Sequence, residues 1–353
     1  MCLPSTLRRS LLALFLAASV AGAGEATCHA LLVGGLPGAP VYARRYRDWL
    51  KRFHKLLTRA GVPPKNIRVL SGDKGFKEPI VTGIATVASV RRTLAEMSDA
   101  VGPADQVLLV LIGHGAVSDM SPTLILPGPD IRAEELADGL DAFDSRHQVV
   151  LNLTASAGEA LKALARPGRV NVAATSPGEA NEPVFAEFLL RGIETQAADG
   201  EGAPAAGKKD GAITLLEAYN WAAAQTAFWI VRQKLTERGW RVEGKESVAI
   251  FKKLCEGRPG EPAARQLARG SRPDKPDERL PLRPEDGRID AFWRGRRVLT
   301  EHALLEDCGE EAGVCALRGA GYQPLAGREP GEPGHLARRV VLGRPALLAP
   351  EGD

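Results

Sequence analysis

Apolar residues along this chain fall into two textures. Short continuous runs bounded by turn residues cover 28–35 (CHALLVGG), 66–70, 105–113 (DQVLLVLIG), 148–153 and 169–175. Such runs are the mark of strands buried on both faces, which belong to parallel sheets covered by helices. Between them lie longer stretches with apolar residues at helical spacing. The stretch 42–61 carries Tyr46, Trp49, Leu50, Phe53, Leu56 and Leu57 on one stripe, and 86–97 carries Val87, Val90, Leu94 and Met97. Further helices are expected at 133–143 with Leu136 and Leu140 inward, at 158–165, at 184–193 with Phe185, Phe188 and Leu189, and at 213–238. Strand and helix alternate, so the pattern predicts an α/β fold: a doubly wound, mostly parallel sheet with helices on both faces.

Turn residues set the boundaries. Gly61 with Pro63 and Pro64 stops the first helix, and Pro127-Gly128-Pro129 forces a turn after which Asp130 can cap a helix. The segment 116–122 reads as a polar, flexible loop, with 123–126 extended, and 197–211 reads as a mobile surface loop. From 256 onward the texture changes. Residues 256–288 read as a Pro- and Arg-rich linker or insertion, 289–318 as a segment that docks back through Phe292, Trp293, Val298, Leu304 and Leu305, and 319–353 as a disordered tail. The carboxylates Glu306, Asp307, Glu310 and Glu311 read as a solvated acidic cluster.

The first 23 residues are set apart by Arg8 and Arg9, the apolar run LLALFLAASV and the small residues Ala21-Gly22-Ala23, a secretory leader pattern. That apolar stretch is shorter than the roughly 20 residues a membrane span needs. A secreted or periplasmic protein is therefore expected, with 24–255 as its main domain. Loss of the leader takes the net charge from +3 to about +1, which gives no electrostatic reason to expect nucleic acid or anionic lipid as a partner. Four cysteines remain, Cys28, Cys255, Cys308 and Cys315, in an oxidising compartment. Cys308 with Cys315 is the preferred pair, because the loop between them is short. No Cys-x-x-Cys or Cys/His spacing suggests a metal, G-x-G-x-x-G is absent after the first strand, and the stretch 208–217 lacks the alternating carboxylates of a calcium loop, so no cofactor is expected.

Candidate chemistry gathers where two buried strands end. His114 stands between Gly113 and Gly115, and the next strand but one runs into Thr154-Ala155-Ser156-Ala157-Gly158. Groups at the carboxyl edge of an open α/β sheet are where ligands and catalysis are found. The pattern of a buried strand ending in His-Gly, then a second ending in small residues and Gly, resembles the caspase/legumain cysteine peptidases. Bacterial secreted relatives are resembled further through LPGPD, RAEELADGLDAF and TEHALLEDCG, over roughly residues 29–250 and 289–310. The resemblance implies a caspase/legumain-like fold, with His114 as the catalytic histidine and Ala155 where the nucleophilic cysteine would stand. Alanine has nothing to attack with, and no other mature cysteine is placed to substitute.

Ser156 is the alternative nucleophile, in a His114/Ser156 dyad. Successive side chains of an extended strand end point to opposite faces, and T-A-S-A-G lacks the G-x-S-x-G elbow. The plainer role for Ser156 is to cap the helix that follows. Gly113, Gly115 and Asp130 are the candidate binding residues, with Asp119 and Arg132 on the same edge. The resulting expectation is a secreted pseudopeptidase that holds a peptide or protein ligand without cutting it. The competing expectation is an active hydrolase using Ser156.

Overall fold

The computed structural model describes residues 26–179, 182–200, 209–237, 282–285, 288–293, 296–298, 303–307, 309, 317–318 and 334–344. The leader, most of the 256–288 segment, Cys255, Cys308, Cys315 and residues 201–208 lie outside them. The chain forms β1 (Cys28–Gly34), α1 (Pro40–Arg59), β2 (Ile67–Ser71), β3 (Gly83–Ile84), α2 (Val87–Ser98) and β4 (Gln106–Gly113). There follow β5 (Gly115–Ser118), β6 (Ser121–Leu124), β7 (Ile131–Arg132), α3 (Ala133–Asp141), β8 (His147–Thr154), a 3-10 turn at Ala157–Ala160 and α4 (Leu161–Leu164). Then come β9 (Arg169–Ala173), α5 (Phe185–Glu194) and α6 (Leu215–Glu237). Three strands, β10 (Leu282–Glu285), β11 (Arg288–Trp293) and β12 (Arg296–Val298), make an antiparallel sheet of their own, and β13 (Leu304–Glu306) and β14 (Leu317–Arg318) complete the set.

The fold is α/β, with a mostly parallel sheet flanked by helices. Its strand order is β14-β13-β9-β8-β4-β1-β2-β3, and every pair from β9 to β3 is parallel. The order reverses between β1 and β4: the chain winds outward through β2 and β3, then returns to the other side of β1. A crevice opens at such a reversal, at the carboxyl ends of the strands. His114 follows β4 directly and so stands at that crevice.

Side-chain alternation divides the core. Leu108, Val110 and Ile112 of β4 and Val149, Leu151 and Leu153 of β8 pack with α1, α5 and α6 through Tyr46, Trp49, Phe53, Phe185 and Tyr219. Val107, Leu109 and Leu111 pack on the other face with Leu94 of α2 and Leu136 and Leu140 of α3. Full burial of a large apolar side chain stabilises by about 1.5–3 kcal/mol, so the two faces together supply the main driving force.

Several expectations are corrected. The stretch 116–122 is not a loop but the body of a β-hairpin, and β5, β6 and β7 form a small antiparallel sheet above the crevice. Glu306 and Asp307 are not solvated: both are buried. Glu306 accepts from Asn171 Nδ2 at 3.0 Å and from Gly309 N–H, and Asp307 accepts from the N–H groups of Gly334, Leu336 and Ala337. Hydrogen bonds of this kind offset the cost of removing a carboxylate from water.

The expected disordered tail does not hold for residues 334–344, where Ala337, Val340 and Leu342 enter the core beneath α1 and α6. Leu215 N–H donates to Val340 O at 2.7 Å, and buried Gln106 bonds both Val341 O and Gly343 N–H. Of the segment expected to dock, β13 pairs antiparallel with β9, whereas β11 and β12 belong to the separate sheet. Cys28 is unpaired and buried, with its thiol pushed up to about 12 by burial.

Candidate functional site

His114 continues the even-numbered face of β4, so its ring turns toward α1. There it meets the ring edges of Tyr42 at 4.8 Å and Tyr46 at 5.7 Å between centroids. Its Nδ1 lies 2.9 Å from Glu182 Oε2, and its Nε2 lies 3.0 Å from the carbonyl oxygen of Pro37. The ring is 26% exposed and the Glu182 side chain 15%. The other carboxylate oxygen of Glu182 accepts from Tyr46 Oη–H at 2.7 Å. The tyrosine is thereby held well above the usual phenol range, first by burial and then by this bond.

Both partners of the imidazole are acceptors. Both ring nitrogens thus face oxygen atoms of the protein and not the open crevice. A general base needs a lone pair within reach of the proton it removes. No pattern in the sequence brings Glu182, Tyr46, Tyr42 and Pro37 to this site. Tyr46 reads as one more residue of the apolar stripe of α1, and Glu182 lies in the irregular stretch just before α5, 68 positions beyond His114, which periodicity cannot connect.

Ala155, the first residue past β8, is buried. The hairpin presses directly on it, because a side chain at Gly115 would come within 1.8 Å of the Ala155 carbonyl oxygen. Only glycine fits there. A similar contact seats Gly35, whose missing Cβ would lie 2.6 Å from Ile125 O, and Leu36 N–H donates to the same oxygen. These close approaches hold the loop after β1, the hairpin and the end of β8 against one another. Gly113 lies in the same packing, its Cβ position 3.0 Å from Leu124 and 3.2 Å from the Gly35 backbone.

Ser156 lies on the opposite side. Its backbone is left-handed, with φ 59° and ψ 24°, and it lines a cavity of about 10 Å³ with Leu111, Leu136, Asn152, Thr154 and Leu164. Those are residues of the α2/α3 face, whereas the neighbours of His114 belong to the α1 face. No hydrogen bond joins Ser156 to His114 among the described residues. The expected helix cap is corrected too: Ser156 occupies the N-cap position but its side chain makes no capping bond, and Ala157 N–H is satisfied by Thr175 Oγ1 at 2.8 Å instead.

Asp130 does not cap α3. It accepts from Leu126 N–H across the Pro-Gly-Pro turn, and the reciprocal contact at α3 is Glu135 with Arg132 N–H. Its carboxylate thus holds the turn. Asn152, within a glycosylation-like triplet, is buried inside β8. Among the described residues no group of three or more His, Cys, Asp or Glu could hold a metal ion, and no helix is long and apolar enough to cross a membrane.

No family model matches the chain, and no curated protein matches it. Among solved structures the chain is similar to protein GSU0716 from Geobacter sulfurreducens, at 15% identity and a TM-score of 0.37, over 49% of this chain and 84% of that one.

Proposed function

We propose that this chain is a secreted or periplasmic, catalytically inactive relative of the caspase/legumain peptidases that holds a peptide or protein segment in the crevice at the carboxyl edge of its sheet. The observation that carries the reading is the engagement of His114 on both nitrogens, by Glu182 and by Pro37 O, with Ala155 one position past Thr154, the partner of Gly113 in the sheet register. Peptide hydrolysis of this type needs a nucleophile and a base that can take its proton. Ala155 at the position where the resemblance expects the cysteine supports loss of the first, and the contacts of both His114 nitrogens weigh against the second. Binding needs neither.

The competing dyad would require Ser156 to approach the imidazole, and its place among α2/α3-face residues weighs against it. The experiment is to incubate the full chain with a mixed peptide pool, isolate the bound fraction and sequence it by mass spectrometry. The reading expects intact peptides in the bound fraction and no new termini in the pool. New termini that vanish in Ser156→Ala would establish the dyad instead, and a pool with no retained peptide would remove the binding role.

A further inference from the structure

The small hairpin sheet has a free edge, and its hydrogen-bond phase is fixed by the chain itself. Ile125 N–H donates to His114 O at 3.0 Å, and the register sets Val117 opposite Pro122, which has no N–H to give. Ladder bonds therefore fall at residues 114, 116 and 118, and the N–H and C=O of Gly115 and Val117 point away from β6. Among the described residues none takes these four groups. Gly115 rests on the Ala155 carbonyl, so the open edge runs over the carboxyl end of β8, next to His114.

The turn that ends β5 keeps this phase. Asp119 and Met120 are both left-handed, at φ 50° and 65°, the two-residue geometry that matches strand twist in a tight hairpin. Residues other than glycine adopt it at a cost, which makes a purpose for the turn worth seeking. The turn carries Met120, 95% exposed, while Val117 beside it is 52% exposed. Short edge strands normally protect themselves with charge or cover. Here the row of free backbone groups is accompanied by apolar side chains.

We infer that β5 is a docking edge for an extended peptide, held by the backbone of Gly115 and Val117. This rests on the peptide-binding reading above and names how the peptide is held. An extended chain presents donors and acceptors at the same spacing and adds as a further strand. The side chains narrow the class. Val117 and Met120 offer apolar contact, while the exposed carboxylate of Asp119 at the strand end suits positive charge. Arg132, 3.9 Å from Asp119, is the cation that such a peptide would compete with. The occupant is thus a segment that alternates apolar and basic side chains.

The probe is a fluorescein-labelled Lys-Val-Lys-Val-Lys-Val-Lys peptide, titrated with the full chain and read by anisotropy. Val117→Pro removes an outward N–H and blocks the edge, yet spares the ladder because the pair with Pro122 is not hydrogen-bonded. Binding is expected to weaken about tenfold or more in Val117→Pro. The same loss is expected with a probe N-methylated at alternate residues, which tests the idea even where the variant fails to fold. Ile84→Ser, at the far edge of the main sheet, should bind as the parent does. Equal binding by Val117→Pro and by the N-methylated probe would overturn the docking edge while leaving peptide binding elsewhere in the crevice intact. Failure of the parent to bind this probe, with peptides still retained from the mixed pool, overturns the stated peptide class. A concentration-dependent dimer that Val117→Pro abolishes assigns the edge to a second copy and overturns the peptide occupant.

Discussion

Glu182 Oε2 stands 2.9 Å from Nδ1 of His114 while Pro37 O stands 3.0 Å from Nε2, so both ring nitrogens face oxygen atoms of the protein. Restoring a sulfur atom at the neighbouring position should therefore not restore chemistry. Ala155→Cys is expected to hydrolyse peptides no faster than the parent, and its thiol to alkylate with the pH dependence of an ordinary thiol, near a pKa of about 8.5 or above. Rapid alkylation by iodoacetamide well below that range would mean that the imidazole remains free to activate it.

Gly115→Ala tests the packing that brings the hairpin onto the end of β8. The added Cβ meets backbone, 1.8 Å from Ala155 O, and a carbonyl cannot swing aside as a flexible side chain could. Overpacking of this kind costs about 1–3 kcal/mol or more. Urea unfolding should show that loss, and a midpoint equal to the parent's would mean that the hairpin is not seated as described.

Removal of residues 334–353 should destabilise the whole main domain. It deletes the buried side chains of Ala337, Val340 and Leu342, leaves the carboxylate of Asp307 without three N–H partners, and strips both partners from buried Gln106. Each buried polar group left unsatisfied costs about 1–3 kcal/mol. Thermal melting of the truncated chain should fall by several degrees at least, since about 1 kcal/mol shifts the midpoint by roughly 2–4 °C at this size.

These cases mark what periodicity can and cannot reach. Strands such as β4 and β8 are legible because burial on both faces leaves a continuous apolar run, and the helices because each keeps one apolar stripe. The hairpin is not legible, because its turn uses Asp119 and Met120 in place of the Asn-Gly or Gly pairs that announce such turns. The apolar run Val340-Val341-Leu342 is too short to show a helical or strand period, and the place of residues 334–344 in the core depends on Gln106, far away in sequence. At the site, one-residue offsets carry the argument: His114 and Ala155 fall on the α1 side by alternation, and Ser156 on the other. The Glu182 contact depends on where the chain returns after β9, which no local pattern encodes.

Acidification should weaken the fold. His29, His54 and His147 are all held below the usual histidine value of 6.5, in each case chiefly by burial. As pH falls past 6.5 the unfolded chain takes up protons that the folded chain refuses, so stability present above that pH is lost on the way down. Glu217, raised by burial, acts in the opposite sense: it favours the fold at low pH and loses that contribution as pH rises above the usual carboxylate value of 4.5. Urea midpoints at pH 7.5 and 6.0 should differ in favour of the higher pH, and replacing the three histidines by glutamine should flatten the difference. An unchanged slope in the triple variant would locate the effect elsewhere.

The most direct measurement is peptide-bond turnover by the full chain beside His114→Ala, using a quenched fluorescent peptide pool. The account predicts no cleavage above background by either protein. Turnover by the parent that disappears in His114→Ala would contradict it.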